Sequence, residues 1–101
     1  MIHVIAIITA KPGMREALLK EFRGIIPAVH AEKGCIEYGP AVDGDGVSFQ
    51  TKLGPDTFVV VEKWDSIAAL QDHAAAPHMA TYGTRTKEMV ASRVIHVLTP
   101  A

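Results

Sequence analysis

The run Ile2-His3-Val4-Ile5-Ala6-Ile7-Ile8-Thr9 is apolar and largely β-branched. A half-exposed strand would alternate, so the run predicts a strand buried on both faces. Pro12-Gly13 punctuates it. Met14, Leu18, Phe22, Ile25 and Val29 then recur at spacings of three and four, with Arg15, Glu16, Lys20 and Arg23 opposite. That period predicts an amphipathic helix from about residue 14 to 32. Pro27 removes a backbone donor and should kink or tighten its last turns, and Lys33-Gly34 ends it.

Cys35–Val42 predicts a second, shorter strand, broken by Gly39-Pro40. Asp43-Gly44-Asp45-Gly46 is turn chemistry, and Val47–Thr51 reads as a short strand or an arm. Connections this long in a small domain are usually functional or interfacial. Thr57–Trp64 is the clearest strand of the chain. Asp65 or Ser66 caps the next helix, whose apolar edge is Ile67, Leu70 and Ala74. Pro77 breaks that helix and opens another from its first position, with Met79, Tyr82, Thr86 and Met89 on one side. Ser92–Thr99 is the last strand.

The order is β-α-β-β-α-β with the second helical segment in two pieces, an α+β plan of two split βαβ units, the ferredoxin-like sandwich. Helices cover only one face of such a sheet. With strand one apolar on both faces, and Phe58 and Val60 opposite Val59 and Val61 in strand three, the other face needs cover too. A second copy related by two-fold symmetry supplies it, so the expectation is a sheet-on-sheet homodimer.

Length and composition narrow the function classes. The chain has 101 residues, 49% hydrophobic and 21% charged, which fits a single domain over residues 1–101. Lys+Arg 10 against Asp+Glu 11 gives a formal charge of −1, no footprint for nucleic acid or an anionic membrane. One cysteine, Cys35, excludes an internal disulfide framework and a Cys-based zinc site. No apolar run approaches a membrane span of about 20 residues. Ile2–Ile8 lacks a basic leader and makes a poor signal peptide, so the expected location is the cytoplasm.

Histidines at 3, 30, 73, 78 and 96 are the main candidates for chemistry. His73 and His78 are not the i, i+4 pair of a helical metal site, and no carboxylate or cysteine stands at ligand spacing beside them, so no metal is expected. His73 follows Leu70 by three at the edge of the apolar stripe, a position that suits a general base reaching into a pocket. A boundary histidine bonded to backbone fits that position as well, and composition alone favours it. His78, at a helix start, more often satisfies backbone than binds substrate. His3 and His96 lie in the two terminal strands, where a polar cross-strand contact is expected. Glu62 shares a strand face with Trp64; a carboxylate there is either partnered or functional. Trp64 serves equally as core anchor or pocket wall, with the anchor as default. Phe49, Met79 and Tyr82 are packing residues in most folds. Phosphate-binding loops, a nucleophile elbow and a haem-attachment motif are absent from the sequence.

The run Val61-Glu62-Lys63-Trp64-Asp65-Ser66-Ile67-Ala68-Ala69-Leu70-Gln71-Asp72-His73, followed by Pro77-His78-Met79, resembles the signature of the antibiotic biosynthesis monooxygenase domain. Lys11-Pro12-Gly13, Glu32-Lys33-Gly34-Cys35 and Gly46-Val47-Ser48-Phe49-Gln50 extend the resemblance over essentially the whole chain and toward the bacterial quinol monooxygenase branch. The Glu-x-Trp, His and Pro-His core is shared by the wider dimeric α/β-barrel superfamily; Gly46–Gln50 is the more selective match. The resemblance implies a cofactor-free oxygenase that needs a base, aromatic walls and a dry pocket, and that binds a small quinol or aromatic substrate and O2. His73 matches the motif histidine and is the implied base, directly or through a water, with Trp64 as a pocket wall. The remaining candidate substrate contacts are Glu62, Phe49, His78, Met79 and Tyr82. Members acting on polyketide rings carry Asn four residues before the motif Trp, where this chain has Val60; haem-degrading relatives use an Asn on strand one, where it has none. The alternatives are an isomerase of a small phosphorylated signal molecule, which needs a more basic pocket, and a non-catalytic small-molecule-binding stress-response module.

Overall fold

The computed structural model describes residues 1–101. The elements are β1 (Ile2–Ala10), α1 (Arg15–His30), β2 (Cys35–Ala41), β3 (Thr57–Trp64), α2 (Ile67–Ala74), α3 (Pro77–Thr86) and β4 (Val90–Leu98). One four-stranded sheet in the order β2-β3-β1-β4 carries them, every neighbour antiparallel. The plan is the ferredoxin-like one, with all helices against one face.

Register assigns every strand residue to a face. Val4, Ala6 and Ile8 of β1 stand beside Glu62, Val60 and Phe58 of β3, and Tyr38 of β2 stands beside Glu62. These residues are buried under the helices. The opposite face carries Ile5 and Ile7, paired with Val61 and Val59 on one side and with His96 and Val94 on the other. Within one chain β1 therefore alternates buried and half-buried residues rather than being closed on both faces, because nothing in the single chain covers the outer side. His3 pairs with Leu98 and Ile5 with His96, which makes the two terminal histidines diagonal neighbours on that outer face.

The helix-face core is built on Trp64, Phe22, Phe58, Leu18, Val4 and Val29, all nearly inaccessible. Phe22 links the layers, stacking on Tyr38 at 5.4 Å and meeting Phe58 and Tyr82 edgewise or tilted. Ser66 caps α2 by accepting from the Ala69 backbone N–H at 3.1 Å. Pro77 opens α3.

Several boundaries differ from the pattern. Gly39-Pro40 does not break β2, since at this sheet edge a proline loses no ladder bond that must be made. α1 stops at His30 and β4 begins at Val90. In α2 the inward residues are Ala69 and His73, while Ile67 is exposed. Val47–Thr51 forms no strand. It belongs to a projecting loop held by side chains: Asp43 accepts the backbone N–H groups of Leu53 and Gly54 at 2.9 Å, and Arg15 donates to the Thr57 carbonyl at 3.2 Å.

Candidate active site

Between the helix face of the sheet and α2 and α3 lies a cavity of about 370 Å³, within the usual range of small-molecule sites. Twelve of its 16 lining residues are hydrophobic, among them Val4, Val60, Leu70 and Met79; the ionisable side chains are Tyr38, Tyr82, Glu62, His73 and Arg93. The β4 side is uncovered, with Ile95 56% exposed.

His73 enters from the last turn of α2 and is 6% exposed. Its ring sits 4.7 Å from the Trp64 ring and 5.3 Å edgewise from Tyr38. Its Nδ1 lies 2.9 Å from Glu32 Oε2, and the same oxygen lies 2.7 Å from Nε2 of His78. Glu32 sits in the turn after α1, and that turn is pressed onto the start of α2. Gly34 has φ +86°, and a Cβ there would meet Asp65 Oδ1 at 2.5 Å and the Ala69 Cβ at 2.6 Å. The Asp65 N–H donates to the Gly34 carbonyl at 2.9 Å. Only glycine permits this approach, and it brings Glu32 to the two histidines.

Glu62 is buried on the sheet floor, where its Oε1 accepts the Trp64 Nε1–H at 3.0 Å. Burial pushes its carboxyl above the ordinary carboxylate value, partly opposed by the Trp64 hydrogen bond and by His73. Burial likewise raises the Tyr38 phenol far beyond its usual range and Tyr82 to about 12. Both phenols are therefore neutral and able to donate. A largely apolar pocket with one histidine edge suits proton abstraction from a hydroxylated apolar molecule.

Of the residues singled out from sequence, His73, Glu62, Met79 and Tyr82 line the cavity. Trp64 stands behind His73 as a buried support, 0% exposed. His78 lies outside the cavity and partners Glu32 rather than backbone. Phe49 is 87% exposed on the projecting loop, away from the lining; the resemblance carried by Gly46–Gln50 marked it, but the loop holds it outward. The expectation that no carboxylate accompanies His73 and His78 is corrected. Glu32 arrives from 41 residues away, and the three ligand-type atoms lie within 4.8 Å of one another. Tyr38, Arg93 and Glu32 were not singled out for site roles. A bulky residue on the inward side of β2 was the one available signal for Tyr38.

Comparison with known proteins agrees with this architecture. Residues 1–85 match the family model described as antibiotic biosynthesis monooxygenase. The chain is 44% identical over 103 aligned positions to YgiN of Escherichia coli (strain K12), described as a probable quinol monooxygenase, covering 99% of this chain and 98% of that one. Among solved structures, PA3566 from Pseudomonas aeruginosa superposes with a TM-score of 0.82 at 28% identity, covering 99% and 93% of the two chains. Rv0793 from Mycobacterium tuberculosis superposes at 0.80 with 28% identity, covering 99% and 94%.

Proposed function

The chain belongs to the antibiotic biosynthesis monooxygenase family, and from that premise we propose that it is a cofactor-independent oxygenase of hydroquinones or hydroxylated aromatic rings. The observation that carries this reading is a buried histidine at the edge of an apolar cavity, with one ring nitrogen engaged by a carboxylate and aromatic rings on two sides. The 44% identity to a protein described as a probable quinol monooxygenase supports the substrate class.

In this reading His73 Nε2 takes the proton of a ring hydroxyl. The resulting phenolate is electron-rich enough to pass one electron to O2. Recombination of the two radicals at the neighbouring ring carbon forms a C–O bond. The proton held on His73 returns to the distal oxygen, the O–O bond breaks, and the carbon loses its hydrogen as the new carbonyl forms. The sum is hydroquinone + O2 → hydroxyquinone + H2O, with all four electrons supplied by the ring. Met79, Leu70 and the sheet floor surround the radical pair with apolar side chains, and Tyr38 and Tyr82 offer neutral donors to the ring oxygens. Glu62 and Arg93 complete the polar contacts. Arg93 is the single cationic side chain in the lining, and Arg85 is engaged by Glu21 at 2.9 Å, which leaves little to recognise a phosphorylated ligand.

The apolar outer sheet face, with Ile5, Ile7, Val59 and Val61 at its centre, is the surface on which we place a second copy in a two-fold dimer.

The test is turnover of 1,4-naphthohydroquinone under ¹⁸O2, with a no-protein blank subtracted. One labelled atom in the ring product and one in water is the expected result. Unlabelled naphthoquinone with hydrogen peroxide, or no rate above the blank, overturns the reading.

A further inference from the structure

A single carboxylate oxygen, Glu32 Oε2, serves two imidazoles, His73 at 2.9 Å and His78 at 2.7 Å. An ionised carboxylate only accepts, so both contacts require N–H donors: Nδ1–H on His73 and Nε2–H on His78. Neutral His73 then has one position left for a lone pair, its Nε2. The three side chains also form a gradient of accessibility. His73 is 8% exposed in its side chain, Glu32 14% and His78 30%.

We propose that Glu32 is the positioning residue that fixes His73 in its Nδ1–H tautomer and so presents Nε2 to the cavity as the proton acceptor, with His78 as the second donor that holds Glu32 in place. The inference rests on the reading of His73 as base, and its tautomer arm can be tested without turnover. A base whose far nitrogen is held by a carboxylate is stabilised in its protonated form and prevented from rotating. Glu32 can act this way because the turn that bears it is clamped to α2 by Gly34, the same helix that bears His73. His78 comes from α3, so the pair ties α1's exit, α2 and α3 around one oxygen.

A metal is the competing occupant of such a cluster. A tetrahedral zinc-type ion with bonds of about 2.0–2.1 Å holds its donors roughly 3.3 Å apart. Both contacts here are shorter and match charge-assisted hydrogen bonds. The other titratable groups facing His73 are Tyr38 from β2 and Glu62 from β3. Neither contacts its Nδ1, so neither substitutes for Glu32.

The experiment combines ¹⁵N NMR of the histidine rings with kinetics. In the wild type His73 should show a protonated Nδ1 and a bare Nε2, and Glu32→Gln should give a mixture of tautomers. Turnover of 1,4-naphthohydroquinone by Glu32→Gln should fall in kcat by between roughly tenfold and 10⁴-fold, the upper figure being the known cost of removing a base's orienting carboxylate. KM should change little, the acid limb of the pH–rate profile should move to lower pH in the variant because the carboxylate that favours the imidazolium is gone, and Glu32→Asp should recover part of the rate. His78→Ala should show a smaller loss of the same kind. A wild-type His73 in the Nε2–H form, or Glu32→Gln with unchanged tautomer and kcat, overturns the proposal. So does stoichiometric cobalt(II) binding that Glu32→Gln abolishes. If the tautomer result holds while wild type shows no turnover above the blank, the base reading fails and the positioning geometry stands.

Discussion

Glu62 shows how one buried side chain sets a pH dependence. Burial raises its carboxyl above the ordinary value of 4.5, so the folded state holds that proton more tightly than the unfolded chain. The stabilisation is fully present below the unfolded value and is lost as pH rises through the raised folded one. Glu62→Gln keeps an oxygen to accept from Trp64 and never ionises. Its melting temperature should exceed wild type near pH 7, with the gap closing at acid pH; a variant less stable than wild type near neutrality contradicts this. At the same scale, helical spacing put His73 three residues after Leu70, at the edge of the apolar stripe, and only the family resemblance distinguished a base from a boundary histidine; both residues line the cavity. Glu32 was not legible, because no local period connects a turn after one helix to the end of another. The connection is made by the close approach at Gly34, which shows in the sequence only as a helix terminator.

The strands and helices were legible wherever one period ran long enough. β1, α1 and β3 follow from apolar runs and from spacings of three and four, and Pro77 marked the start of α3. The projecting loop was the least legible element, because side-chain-to-backbone bonds rather than an apolar face hold it. Asp43 is its staple. The backbone N–H groups of Leu53 and Gly54 hold its carboxyl below the ordinary carboxylate range. Asp43→Ala should speed amide exchange at Leu53 and Gly54 while leaving the sheet amides and the melting temperature nearly unchanged. Unchanged exchange at those two amides would show that the loop is held by other contacts. With Phe49 turned outward, any contact of Phe49 with substrate would need a partner chain or a rearranged loop.

For the whole molecule, the sheet has two faces with different tasks. Its helix face supplies the core and the cavity floor; its outer face is apolar with no cover in one chain. The sequence showed that both sides of β1 and β3 are apolar, and register then assigned Val59 and Val61 to the outer side. Light scattering at micromolar concentration should find a dimer for the wild type. Val61→Asp, a charge at the centre of the outer face, should shift it to monomer without loss of secondary structure. A monomeric wild type contradicts the proposed assembly. None of the helices is long and apolar enough to cross a membrane.

The central claim is that a protein side chain, His73, starts oxygen chemistry on the substrate ring with no bound cofactor. Oxygen uptake with 1,4-naphthohydroquinone, by chelator-treated protein with no visible flavin or haem band, tests it most directly. Wild type should consume O2 well above the no-protein blank, and His73→Ala should lose roughly 10²–10⁴-fold of that excess rate, the usual contribution of a positioned base, while folding as wild type does. Full activity in His73→Ala, or wild-type activity that vanishes on chelation and returns with added metal, contradicts the account.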